Sequence, residues 1–141
     1  MPRKIFDREL ESLMSHMTEL GGAVDEKIQQ TITALRSMNL DLAEDVAKSD
    51  NDIDRMVRQI EKDCMDLIAL QQPIAKDLRT IAACLKILTD VEREADQCAD
   101  ICEILTVGEL NGNSLAITHV TQMLETARRM FRRSMDVLLS K

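Results

Sequence analysis

The chain has 141 residues, 45% apolar and 30% charged, with a net charge of −7. That is the size of one ordinary domain with apolar residues enough for a core, and its acidity excludes a general nucleic-acid binder, which needs a basic footprint. With two aromatics, four glycines and two prolines against many Leu, Ile, Met, Ala, Glu and Lys, the composition predicts helix almost throughout.

The opening MPRKIFDREL turns charged within a few residues, so it lacks the apolar run of a signal peptide. No window approaches about 18 uninterrupted apolar residues, and the expected address is the cytoplasm. Ile5, Leu10, Leu13, Met14, Met17, Leu20, Val24, Ile28, Ile32 and Leu35 recur at threes and fours. This spacing predicts one amphipathic helix of about 30 residues. Gly21 and Gly22 interrupt it and mark a bend or a close helix contact. MNLD at 38–41 reads as a turn and LAEDVAKS as a short helix. Asp50 starts the next helix, striped by Ile53, Met56, Val57, Ile60, Cys64, Leu67 and Ile68. Pro73 ends it and suits the first turn of a new one, a long helix over about 74–106. GELNGNS at 108–114 is a loop, and a last helix spans about 114–139. The result is an all-α, antiparallel helical bundle with long helices. Its final helix either packs back on the bundle or projects from it.

DVEREADQCAD, at 90–100, crowds five carboxylates against one arginine inside a helix. Glu92, Asp96 and Asp100 are spaced four apart, so they stack on one face, at a cost of roughly 0.2–0.5 kcal/mol per like-charged pair. Cys84, Cys98 and Cys102 fall on a separate, apolar face. With Cys64 they read as thiols serving as small buried hydrophobes. The preceding helix carries a second acid pair, Asp50 and Asp54. Measured from the turn at Pro73, Asp50 is as far as Asp96, and Asp54 as far as Glu92. In an antiparallel hairpin such residues share a level. Four carboxylates at one level form a hard-oxygen site for a cation. The other reading of the same residues is a solvated acidic face, with Asp50 as a helix cap.

ARRMFRR at 127–133 reads as a solvated basic face, or as a dock for an acidic partner or anionic membrane. His16 and His119 lack the Glu-x-x-His spacing of di-iron bundles and read as surface or boundary residues. No Gly-rich phosphate loop, GxSxG or HExxH occurs.

These stretches together resemble the PhoU family of bacterial phosphate regulators. QQPIAKDLR at 71–79 resembles its inter-helix turn, and DNDID at 50–54 and EREAD at 92–96 resemble its paired E(D)xxxD motifs. LGGAVDEKI at 20–28 is similar to its first helix. The resemblance implies a three-helix bundle over residues 1–107. Residues 108–141 then form a loop and the first helix of a second bundle. It implies metal ligands Asp50, Asp54, Glu92 and Asp96, with Asp100 as an extra candidate and Glu61 and Glu103 as weaker ones. The ion would be Fe, Zn, Mn or Mg. It also implies a non-enzymatic negative regulator of phosphate uptake and starvation signalling. Such a regulator contacts the phosphate ABC transporter ATPase and a sensor histidine kinase, and meets the membrane only through those partners. Either the chain is a fragment or truncated form of a longer member, or it is a half-length protein whose unfinished second bundle favours a homodimer. Glu94 and Ala95 depart from the family's usual Ile-Gly. An accessory domain of a sodium–phosphate cotransporter, and a metal-dependent enzyme or metal-storage bundle, are the alternatives.

Overall fold

In the computed structural model, which describes residues 2–108 and 115–140 without the side chains of Pro2, Arg3 and Asp50, the chain forms five helices. They are α1 (Pro2–Ser37), α2 (Leu40–Lys48), α3 (Asp50–Gln71), α4 (Ala75–Thr106) and α5 (Leu115–Leu139). The described residues contain no strand, so the fold is the all-α bundle expected. The loop expected at 108–114 lies, after Gly108, outside the described residues.

α1 is the central helix because its apolar stripe is the longest. Leu13, Met17, Leu20, Val24, Ile28, Ile32 and Leu35 are each at most 2% exposed, as the period of threes and fours requires of a helix packed on several sides. α1 packs against all four other helices, and α3, α4 and α1 pack mutually. Pairs across the interfaces fix the directions. His16 meets Asp63, Thr31 meets Cys102, and Asp25 meets Arg128 while Arg36 meets Glu125. Hence α4 runs parallel to α1, and α3 and α5 run against it.

The connection at 38–41 is tighter than expected. Only Met38 and Asn39 stand outside the helices, and Leu40 and Asp41 are helical. Met38 takes a left-handed φ of 51°, and Asn39 N–H donates to Ala34 C=O at 3.0 Å. This is the hydrogen-bond pattern that closes a helix C-terminus on a left-handed residue. Asn39 then caps α2, its Oδ1 accepting from Leu42 N–H at 3.1 Å. One residue thus ends one helix and starts the next. At the second reversal Gln72 is left-handed, with φ 45°, and Pro73 has no N–H with which to continue α3.

Gly21 and Gly22 do not break α1. Gly21 marks the close contact instead: a Cβ there would lie 3.0 Å from Met135 Cε of α5. α5 packs back on α1, burying Phe131, Met135 and Leu138 in the main core cluster and Ile117 in a second cluster with Ala43, Val46, Cys102 and Leu105. The basic stretch at 127–133 is therefore not simply a solvated face. Phe131 is buried, and Arg128 clamps α1 through Asp25, with Nε–Oδ1 at 2.8 Å and a further bond to Gln29. No helix of the described residues is long and apolar enough to cross a membrane.

Candidate functional site

The acidic motifs lie where α3 and α4 run side by side. On α3, Ile53, Val57 and Ile60 point inward, which places Asp54 at the boundary and Glu61 outside. On α4, Val91, Ala95, Cys98 and Cys102 are buried. Glu92 is thereby half-buried, with Asp96 and Asp100 exposed one and two turns further along. The apolar face decides the position of the acids, because a helix that buries one stripe must turn the other outward.

The two helices bring the motifs together at Asp54 and Glu92. The Glu92 carboxyl is held above its ordinary range first by burial, then by the negative charges of Asp54, Asp96 and Glu61, which outweigh the nearby Arg58 guanidinium. Asp54 and Glu61 belong to α3, so the field at Glu92 is built across the interface. Arg58 also donates from Nε to the Asp54 backbone carbonyl at 3.4 Å. Asp100 is not among the charges that act on Glu92. Asp50 opens α3, but its side chain is outside the described residues. The residue before the helix is Ser49, whose side chain makes no cap bond to α3.

A hard cation fits this donor set in chemistry, since carboxylate oxygens are its preferred ligands and mutual repulsion is what a cation relieves. The side chains as placed do not close a coordination sphere. Among the described residues no group of three or more His, Cys, Asp or Glu stands close enough to hold an ion. Closure would take rotation of the Asp54, Glu92 and Asp96 side chains or a contribution from Asp50.

The cysteines belong to the core. All four are free and buried. Burial pushes the Cys64 thiol up to about 12 and Cys98 up to about 11. Cys102 Sγ donates to Thr31 Oγ1 at 3.6 Å, and Thr31 donates to the Lys27 carbonyl at 2.8 Å. Lys27, only 2% exposed, was not legible as a core residue. The signal was its place with Val24 and Thr31 on one face at spacings of three and four. The Asp25–Arg128 clamp was not legible either, because its partners are 103 residues apart. His16 is a boundary residue, its Nδ1 3.0 Å from Asp63 Oδ2.

Comparison with known proteins covers this region. Residues 17–105 match the PhoU domain, a span that includes both acidic motifs. The chain is similar to the phosphate-specific transport system accessory protein PhoU homolog of Clostridium acetobutylicum. They are 35% identical over 144 residues, covering 100% of this chain and 65% of that protein. The homolog of the same name from Pseudomonas putida is 31% identical over 135 residues, covering 93% of this chain and 52% of the relative. That from Aquifex aeolicus is 40% identical over 100 residues, covering 71% and 45%. The chain therefore spans about half to two thirds of the length of these relatives.

Proposed function

Given that the chain belongs to the PhoU family, we propose that it is a regulatory accessory protein of phosphate transport, binding metal through its paired acidic motifs. Its role is to restrain phosphate uptake and the starvation response by docking on the transporter ATPase and a sensor histidine kinase in the cytoplasm. The role is one of binding rather than catalysis. The ligands are Asp54, Glu92 and Asp96, with Asp50 and Asp100 as further donors, and the ion is Fe, Zn, Mn or Mg. When bound, the ion would neutralise the like charges and tie α3 to α4. The chain's own residues do the rest. The buried stripes hold the two helices at fixed register, and Arg58 tempers the negative field. A homodimer completes the proposal.

The observation that carries this reading is the convergence of Asp54, Asp96 and Glu61 on Glu92 from two helices. Like charges so placed destabilise the apoprotein, and a bound cation repays that cost. The test has two arms. Elemental analysis of protein purified without chelator should find metal that the Asp54→Ala/Asp96→Ala variant lacks. Expression in a bacterium lacking its own PhoU protein should restore repression of a phosphate-starvation reporter at high phosphate. Metal-free protein after incubation with Fe, Zn, Mn and Mg salts would remove the metal centre, and an unrepressed reporter with folded protein present would remove the regulatory role.

A further inference from the structure

α4 and α5 both pack on α1 and meet in the second core cluster through Ile117, Cys102 and Leu105, but among the described residues no Cα of one comes within 8 Å of the other. A groove therefore lies between them, from Ile87 to Ile101 on α4 and from Leu124 to Met135 on α5. Two parts of it, of about 510 Å³ and about 220 Å³, share Asp90, Glu94 and Ala127 and so form one channel. Ile28 of α1 lines the smaller part.

Both walls have helical patterning. On α5, Met130, 64% exposed, lines the groove with Phe131 and Met135, and Met123 and Val137, seven residues to either side of it, are 69% and 71% exposed. Ala127 and Ser134 fall between them, so the stripe has the apolar spacing of a helix seam. Exposure of one such residue is ordinary, but three in register form an exposed apolar stripe. On α4 the facing wall is Ile87, Val91 and Ile101, interrupted mid-groove by Asp90 and Glu94. These two acids are four apart and stand on one face. Neither forms an ion pair among the described residues, although Glu94 is half-buried and Arg93 lies at the rim. A half-buried carboxylate without a cation is costly and is ordinarily matched by one.

We propose that the α4–α5 groove is a docking site for an amphipathic helix of a partner protein whose apolar stripe is edged by Lys or Arg. The stripe fills the notch between the walls and the basic edge meets Asp90 and Glu94, which is the helix-in-groove mode of recognition. The acids set the occupant's chemistry, because they line the groove without an ion pair among the described residues and call for a basic edge. The groove lies on a different face of α4 from Glu92 and Asp96, so the inference stands apart from the metal centre.

The probe is a Leu/Lys amphipathic peptide of about 18 residues, which makes about five turns, and its Leu/Glu counterpart, each fluorescein-labelled. Anisotropy titrations of the full chain should show binding of the Leu/Lys peptide and little of the other. Asp90→Asn/Glu94→Gln should weaken binding about tenfold, the effect of two partly buried charge contacts. Met130→Glu should abolish it, and the exposed control Glu11→Gln, on another helix, should not change it. Circular dichroism on each variant confirms that helix content is kept, and Met130 is exposed enough to be replaced without unfolding. Equal binding of both peptides, or binding that survives Met130→Glu, overturns the proposal. So does a dimer in light scattering that Met130→Glu dissociates, because it gives the groove to a second copy.

Discussion

Gly21 and Gly22 are adjacent in α1, and the pair measures how closely α5 approaches. Replacing a helix-interior glycine by alanine gains about 0.8–1.0 kcal/mol in propensity, chiefly because glycine loses more backbone freedom on folding. At Gly22 nothing lies within 4 Å of the added methyl. Gly22→Ala should therefore stabilise by about 1 kcal/mol, or about 3–4 °C in Tm for a chain of this size. At Gly21 the methyl would meet Met135 Cε at 3.0 Å and Cγ at 3.7 Å. Met135 is 6% exposed and belongs to the main core cluster, so its terminal carbon must give by a few tenths of an ångström against packed neighbours. Methionine is flexible enough to do this at a cost of about 0.5–1 kcal/mol. Gly21→Ala should accordingly be close to neutral. Gly21→Leu, which adds more carbons at the same spot, should lose about 2–3 kcal/mol. Urea unfolding monitored by far-ultraviolet circular dichroism reads all three. A cycle with Met135→Ala should return the missing stabilisation to Gly21→Ala. Equal gains from the two alanine variants, with no coupling to Met135, would show that α5 does not sit against Gly21.

The Asp25–Arg128 clamp carries a pH signature. Its hydrogen bond to Arg128 holds the Asp25 carboxyl below its ordinary range despite an opposing effect of burial. A lowered native pKa means that the unfolded chain takes up the proton first, so this stability is present above pH of about 4–5 and is lost as pH falls through the native value. Asp25→Asn should cost about 1–2 kcal/mol at pH 7, with melting curves converging on wild type as pH falls through the native value; a constant difference would refute it. Glu92 has the opposite sign. Its raised pKa penalises the folded ionised form at neutral pH, a penalty that fades as pH falls through the native value. Metal-free Glu92→Gln should thus be a few tenths of a kcal/mol more stable than wild type at pH 7, with the gain gone at acid pH. A loss of stability at pH 7 would show that the acids do not strain one another. The four buried thiols should resist Ellman's reagent at pH 8 and all react in guanidinium. Rapid labelling of native protein would place a cysteine outside the core.

The helices were legible because each carries an unbroken apolar stripe, and the stripe alone orients the polar residues between its members. Val91, Ala95 and Cys98 turn inward, so Glu92 and Asp96 must turn outward. The level of Asp54 against Glu92 followed from their equal distances to Pro73, since rise per residue is constant in a helix. The short connection at Met38 was less legible, because a left-handed methionine closing α1 has no composition signal such as glycine gives.

By itself, then, the sequence determined the all-α class, the order of the helices, the buried thiols and the paired acids, because periodicity and turn chemistry act within a few residues. Only the tertiary structure decided where α5 goes, that Gly21 is a contact rather than a bend, that Arg128 is a clamp rather than a free cation, and that a groove stands open beside α4. Those features rest on residues about a hundred positions apart meeting in space. A helical pattern says which face of a helix is apolar, but not which other helix will cover it.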